Sequence, residues 1–178
     1  MAPHTSMNAS DAVRTKLDVR EYSAKPVPGS VKTAVLEAAR LTQSGVNSQH
    51  WRFILIQDPK NLLRLAADST TGSWVAGANF AVIVCTDPKK GYHVIDAGRA
   101  VQDMQLTAWD SGVASGLYTG MNQPDMRRDF GIPAELNSTA VVAFGYPKKK
   151  LLGRKNRKPL SELAYLERFG SPLGALGT

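Results

Sequence analysis

Apolar residues recur at helical spacing in some stretches of the chain and in short, nearly continuous runs in others. The helical spacing predicts helices over residues 8–18, 30–42, 60–67, 92–112, 124–130 and 161–166. The short β-prone runs predict strands over residues 51–57 and 79–85, within 112–120, and over 138–146. About four to five strands and at least five helices without strict alternation favour an α+β fold with a mixed sheet over a doubly wound fold.

The helix predicted over 92–112 has apolar residues on more than one side. They are Val94, Ala97, Val101, Met104, Leu106, Ala108 and Trp109. A helix with this pattern is expected to be buried on two sides, and a partner subunit is one candidate for the second side.

A polar loop, Ser44 to His50, joins the second predicted helix to the first predicted strand. Asn47 and Gln49 each carry a carbonyl acceptor and an amide donor, while Ser44 and Gly45 allow backbone to approach a ligand closely. This combination suits the edge of a flat, pyrimidine-like ring. An ordinary polar loop whose amides cap nearby backbone groups explains the same residues equally well.

Length and composition indicate one domain over residues 1–178, with 1–10 flexible and 148–178 an extended C-terminal segment. No apolar run approaches the roughly 20 residues of a membrane span. The N-terminal stretch lacks the apolar core of a signal peptide, and the solitary Cys85 cannot form an internal disulfide, so a cytoplasmic protein is expected. Cys85 ends an apolar run, which predicts a buried, inert thiol rather than a nucleophile.

The net charge of +7 comes entirely from one short segment, because the remaining 15 basic and 15 acidic residues cancel. Its cations are Lys148, Lys149, Lys150, Arg154, Lys155, Arg157 and Lys158. A concentrated cluster favours a phosphate site or a local polyanion patch over a uniformly basic nucleic-acid surface. A solvated charged tail remains the simpler alternative.

Familiar catalytic and nucleotide-binding motifs are missing from the sequence. His4, His50 and His93 are far apart and form no metal-ligand spacing, so no metal site is predicted. The chain has no nucleophile elbow, Walker loop or dinucleotide glycine fingerprint. Two cation pairs remain, Lys16 with Arg20 and Lys155 with Arg157, which would converge on one phosphate from opposite ends of the chain.

Six blocks between about residues 12 and 167 resemble the nitroreductase family, in the family's order. They are Arg20-Glu21-Tyr22, the Ser44-to-Phe53 loop and strand, Ile95 to Gln102, Gly112 to Leu117, Ala143 to Pro147 and Lys155 to Leu160. The resemblance implies a homodimeric α+β flavoprotein with FMN at the subunit interface. Such an enzyme oxidises NADH or NADPH and reduces nitroaromatics, quinones or related small-molecule acceptors by a ping-pong mechanism.

The resemblance also assigns cofactor-binding positions. Lys16 and Arg20 match the N-terminal flavin positions, with Arg20 at the pyrimidine edge, and Lys155 with Arg157 match the phosphate grip. The remaining positions are Ser44, Gly45 and Asn47, supplied by the neighbouring subunit, and the backbone of Thr119 and Gly120 facing the flavin N5. No catalytic side chain is implied, because the cofactor carries the chemistry.

The chain departs from the family pattern at four places. Lys16 stands where Arg is more common, Asp18 where Ser or Thr is usual, and His50 where Pro is common. An acid at residue 18 would repel a phosphate unless a neighbouring cation neutralises it. The short Thr86-to-Tyr92 connection predicts an open pocket, because larger relatives place a helical excursion there.

Two other functions remain open at this point. A relative that has lost tight flavin binding would use the 148–158 cluster for nucleic acid or another polyanion, although Tyr146 is the sole flanking aromatic available for stacking. A flavoenzyme with a specialised substrate is the second alternative.

Overall fold

A computed structural model of the chain describes residues 7–151, 153 and 155–174. Five helices lie close to their predicted positions: α1 (Ala9–Thr15), α2 (Gly29–Leu41), α3 (Pro59–Ala67), α4 (His93–Asp110) and α5 (Gln123–Phe130). Four strands do the same: β1 (Arg52–Ile56), β2 (Phe80–Thr86), β3 (Ala114–Tyr118) and β4 (Asn137–Gly145). Most of the stretch expected to be flexible, residues 1–6, lies outside the described residues, and α1 begins at Ala9.

The four strands form one sheet in the order β1-β2-β4-β3, and every neighbouring pair is antiparallel. The sequence predicted a mixed sheet, but the named strands pair only in the antiparallel direction. Among the described residues, the parallel pairing is an isolated bridge between Asp18 and Ser115. Helices cover both faces of this sheet, and the predicted α+β fold is confirmed.

Strands β2 and β4 are buried on both faces, which explains why their sequences are almost continuously apolar. Successive β2 side chains point to opposite faces: Phe80 and Val82 pack with α2 and α4, whereas Ala81 and Ile83 pack with α3 and α5. Phe80 stacks on its cross-strand partner Phe144 with ring centroids 4.6 Å apart. The core is therefore divided by the sheet into two layers.

Helix α4 packs one face on the sheet and against α2, with its small residues at the contact. The buried apolar residues are Ala97, Ala100, Val101, Met104 and Ala108. Val94 and Ile95, from the first turn of the helix, are 60% and 61% exposed. The second apolar side predicted for this helix is thus partly covered, because Trp109 bonds to Thr15 of α1, and is exposed at the first turn.

Residues after α1 run beside strand β3 instead of continuing the helix predicted to residue 18. Helix α1 ends at Thr15, and Val19 N–H donates to the Ser115 carbonyl at 2.8 Å. The approach is close because Gly116 carries no side chain at the contact. Pairing with the edge of the sheet therefore ends the helix early.

The helix predicted over 161–166 is wrong. A single 3₁₀ turn, Leu160–Glu162, is found there instead. Leu166 N–H donates to the Ser171 carbonyl, and Glu167 adopts a left-handed conformation with φ of 59°. The chain therefore reverses direction after Leu166, and the reversal competes with helix formation.

Replacing Gly116 with alanine should destabilise the fold. An added Cβ would lie 2.6 Å from the Val19 carbonyl oxygen and 2.7 Å from the Trp74 ring. We expect a loss of about 1–3 kcal/mol in the free energy of unfolding, measured by urea denaturation. Gly29→Ala is the control, because nothing lies within 4 Å of its Cβ and its stability should change by less than about 1 kcal/mol. Equal stability of the Gly116→Ala and wild-type proteins would contradict this packing.

The thiol of Cys85 should be unreactive in the folded protein. Burial raises the pKa of the Cys85 thiol to about 11, so at pH 8 only about one molecule in a thousand carries the reactive thiolate. Reaction with a disulfide reagent at pH 8 should be at least about 100-fold slower in native protein than in denaturant. Similar rates in the two conditions would show that the thiol is accessible.

Candidate functional site

A cavity of about 500 Å³ lies where the N-terminal segment, α4, β3 and the C-terminal segment meet. Its polar lining comprises Lys16, Asp18, Gln102, Gln105, Lys155, Asn156 and Arg157. The two cation pairs predicted to converge on one phosphate are Lys16 with Arg20 and Lys155 with Arg157. The structure brings Lys16, Lys155 and Arg157 to one cavity, called here the cation cavity, and places Arg20 outside its lining.

The charges of the cation cavity suit a phosphate monoester. Lys16 Nζ lies 2.5 Å from Asp18 Oδ1, so this lysine neutralises the acid that would otherwise repel a phosphate. Lys155 Nζ donates to the Val13 carbonyl, and one Arg157 nitrogen donates to the neighbouring Asn156 carbonyl at 2.8 Å. Three cations and one carboxylate leave a net charge of +2, against about −1.5 to −2 on a phosphate monoester at pH 7.

Gln105 is a polar residue of this cavity that the sequence analysis missed. Its side chain is 3% exposed, and its Nε2 has no hydrogen-bond partner within the described part of the chain. A buried donor left unpaired costs about 1–3 kcal/mol, so an acceptor supplied by a ligand would remove a real penalty. The available signal was a single amide between Met104 and Ala108 on the buried face of α4.

Arg20 lies in a second cavity, of about 460 Å³, which it shares with Asp18, Glu21, Lys148 and Lys149. Asp18 lines both cavities and so marks their boundary. The Arg20 guanidinium carbon is 5.5 Å from the centre of the Trp74 ring, within the range of a cation–π contact. Arg20 is thus adjacent to the cation cavity and separated from Lys16 by one acidic residue.

The polar loop is attached to the first turn of α4. Gly45 N–H donates to the Asp96 carboxylate, at 3.0 Å to Oδ2 and 3.2 Å to Oδ1. Asp96 and Gln105 are nine residues apart on the helix, which is about 14 Å along the axis and two and a half turns. Their side chains therefore leave α4 on opposite sides. A single chain does not bring the loop and the cation cavity together.

The loop has a strained backbone. Val46, Asn47 and Gln49 have φ of 47°, 52° and 45°, in the left-handed region that non-glycine residues avoid at a cost of about 1–2 kcal/mol each. Gln49 N–H donates to Ser44 Oγ at 3.0 Å, and the Gln49 amide donates to Asn47 Oδ1 at 3.2 Å. The two amides are thus partly bonded to each other, while Val46 is 89% exposed.

Thr119 and Gly120 follow the end of strand β3. The cation cavity reaches Leu117 on the same strand, so these residues lie about 7–10 Å further along the chain direction. The Gly120 carbonyl accepts a hydrogen bond from Thr70 N–H at 2.9 Å, and an added Cβ would collide with the Thr70 and Thr71 hydroxyls. The backbone at Gly120 is therefore packed closely against the 70–71 loop.

The basic segment is divided between the two cavities. Lys148 and Lys149 line the Arg20 cavity, Lys155 and Arg157 line the cation cavity, and Arg154 falls outside the described residues. Lys149 lies 3.3 Å from a Glu21 carboxylate oxygen. Within the described residues, the segment thus contributes two lysines to one cavity and Lys155 with Arg157 to the adjoining one.

No described helix combines the length and apolarity needed to cross a membrane.

Comparisons with known proteins identify the family. Residues 8–172 match the family model described as "Putative TM nitroreductase". A protein of Archaeoglobus fulgidus named "Putative NADH dehydrogenase/NAD(P)H nitroreductase" is 30% identical over 145 residues, covering 76% of this chain and 83% of the relative. An "NADH dehydrogenase" of Thermus thermophilus is 36% identical over 182 aligned positions, covering 81% and 89%.

The fold is shared with solved structures. An FMN-dependent nitroreductase from Clostridium difficile superposes with a TM-score of 0.83 over 90% of this chain and 99% of that one, at 19% identity. This likeness supports the fold, and the family model together with the sequence relatives settles the family. The chain belongs to the nitroreductase family of oxidoreductases.

Proposed function

We propose that the protein is a homodimeric, single-domain FMN-dependent oxidoreductase that takes electrons from NADH or NADPH. Its acceptors would be nitroaromatics, quinones or related small molecules, reduced by a ping-pong mechanism. The observation that carries the proposal is the cation cavity, with its net charge of +2 and the unpaired amide of Gln105. Relatives named as NAD(P)H nitroreductases and an FMN-dependent nitroreductase of the same fold support it.

The residues of the cation cavity fit the phosphate end of FMN. Arg157 presents a planar guanidinium for a two-pronged contact with phosphate oxygens, and Lys155 adds a second positive charge. Lys16 holds Asp18 in an ion pair, which removes the repulsion that the acid would exert. Gln105 would donate its unpaired N–H to an oxygen of the cofactor, and Arg20 would hold the pyrimidine edge beside Trp74.

A second copy of the chain would complete the site. The polar loop and the cation cavity lie on opposite sides of α4, so Ser44, Gly45 and Asn47 reach a cofactor only from another subunit. The exposed Val94 and Ile95 beside this loop give the apolar surface that such a contact requires. Dimer formation would therefore bury apolar area and assemble the site in the same step.

Bound FMN would supply hydride transfer through its N5 atom, so no side chain of the protein needs to act as acid or base. The backbone N–H groups of Thr119 and Gly120 would lie near that atom. The connection from Thr86 at the end of β2 to His93 at the start of α4 is short, which leaves little chain to enclose a substrate. An open site suits several acceptors that bind in turn after the nicotinamide has left.

The proposal is tested by adding FMN to the purified protein. We expect flavin absorbance in the protein as purified or after reconstitution, with one FMN per chain. Oxidation of NADH or NADPH should then accelerate when a nitroaromatic or quinone is added. Protein that neither carries flavin nor binds added FMN would refute the proposed function.

Replacing Arg157 with alanine should weaken FMN binding. A charge-assisted hydrogen bond contributes about 1.5–3 kcal/mol, so the dissociation constant should rise about 10- to 150-fold. Quenching of flavin fluorescence on titration measures this constant. Lys158→Ala is the matched control, because Lys158 is an exposed lysine of the same basic segment that lines neither cavity, and its loss should change the constant less than about threefold. Equal losses in the two variants would indicate a diffuse basic patch instead of a phosphate site.

Replacing Gln105 with leucine should have opposite effects on the empty and FMN-loaded proteins. Removing the amide should stabilise the FMN-free protein by up to about 1 kcal/mol. The variant no longer carries the penalty of burying a polar group that has no hydrogen-bond partner. FMN affinity should fall about tenfold, because a donor to the cofactor is lost too. Thermal denaturation with and without FMN measures both. A variant that binds FMN as tightly as wild type would exclude Gln105 from the site.

A further inference from the structure

A buried carboxylate holds the start of the polar loop. Asp96 is 1% exposed, and both of its oxygens face the Gly45 N–H. His50 Nε2 lies 3.2 Å from Asp96 Oδ2, and Arg99 lies 3.6 Å from Oδ1. The carboxylate therefore binds both ends of the loop at once, Gly45 at its beginning and His50 at its end.

The tautomer of His50 follows from its second hydrogen bond. The backbone N–H of Asp87 donates to His50 Nδ1 at 3.3 Å, and a backbone N–H can only donate. The ring proton must then sit on Nε2, which donates it to Asp96. His50 is 8% exposed, so little water competes for these bonds. His50 thereby connects the end of β2, the loop and the first turn of α4.

Tyr92 closes the same cluster from the side. A Cβ built on Gly45 would lie 2.5–2.7 Å from the Tyr92 ring, so only glycine fits at this position. The Tyr92 ring meets the His50 ring edge to face, with centroids 5.9 Å apart. Gly45 is consequently fixed between an aromatic ring and a carboxylate.

We propose that Asp96, His50 and Tyr92 act as a clamp that fixes the conformation of the Ser44–Gln49 loop. Asp96 and His50 are thereby positioning residues, which hold the loop in the conformation that contacts the cofactor. The cofactor part of this inference rests on the proposed function. The three left-handed residues of the loop would relax if its ends were released, because their conformation is unfavourable by itself.

Three variants test the clamp in the FMN-free and FMN-bound protein. His50→Ala removes both hydrogen bonds. His50→Gln keeps a donor at the position of Nε2, so it should restore most of the loss. His93→Ala is the matched control. His93 is the first residue of α4, close to Tyr92 and Asp96, but its ring bonds to Thr86 at 2.9 Å and makes no hydrogen bond to the loop. Circular dichroism confirms that each variant is folded.

The first readout is hydrogen exchange of the Gly45 amide in FMN-free protein, followed by NMR. In His50→Ala it should exchange at least about tenfold faster than in wild type, with His50→Gln and His93→Ala close to wild type. Unchanged exchange in His50→Ala, or the same acceleration in His93→Ala, would overturn the clamp.

The second readout is the FMN dissociation constant. A loop that holds the binding conformation only about a tenth of the time raises this constant about tenfold, which we expect for His50→Ala and not for His93→Ala. Faster exchange with unaltered FMN affinity would overturn the positioning role. Failure of the wild-type chain to bind FMN would instead refute the proposed function and the cofactor role, while the exchange comparison would still decide whether the clamp holds the loop.

Discussion

Helix α4 lies with its small-residue face on the sheet, and both parts of the candidate site are fixed to this helix. Ala97, Ala100 and Ala108 let the helix approach the strands closely, and Met104 fills the remaining space. Because the helix is rigid, the positions of Asp96 and Gln105 are set relative to each other by helical geometry alone. They point to opposite sides, so a site that uses both the loop and the cation cavity needs two copies of the chain.

The electrostatics of the cation cavity depend on one internal pairing. Lys16 is nearly buried and forms an ion pair with Asp18, which neutralises its charge. The positive charge left for a ligand therefore comes from Lys155 and Arg157. These two residues lie on a segment without helix or strand, where charges are screened by salt. In the proposed FMN complex, the grip on the phosphate would therefore come from the C-terminal segment. A family pattern alone would not have shown this division.

The sequence predicted the parts of the fold that depend on local periodicity. The strand at 79–85 was recognisable because it is apolar on both faces, and the long helix because its apolar residues repeat at helical spacing. The helix over 161–166 was wrong because the reversal at Glu167 and Ser171 is set by contacts beyond the helical window. Helix α1 was predicted too long because pairing with Ser115, about a hundred residues away, ends it.

Some features of the candidate site could be predicted from the sequence and others could not. The convergence of Lys16, Lys155 and Arg157 could be expected from charge and from the family resemblance. Gln105 was missed because one amide in a long helix is an ordinary surface pattern until its burial is known. The contact between His50 and Asp96 joins residues 46 positions apart, and nothing local in the sequence indicates it.

A crystal structure of the protein with bound FMN would show whether the cofactor site is divided between two copies of the chain. We expect the phosphate between Lys155 and Arg157 of one copy, with the Ser44–Gln49 loop of the second copy against the same flavin. FMN held by the loop and the cation cavity of one chain, or bound away from both, would show that the site is not divided in this way.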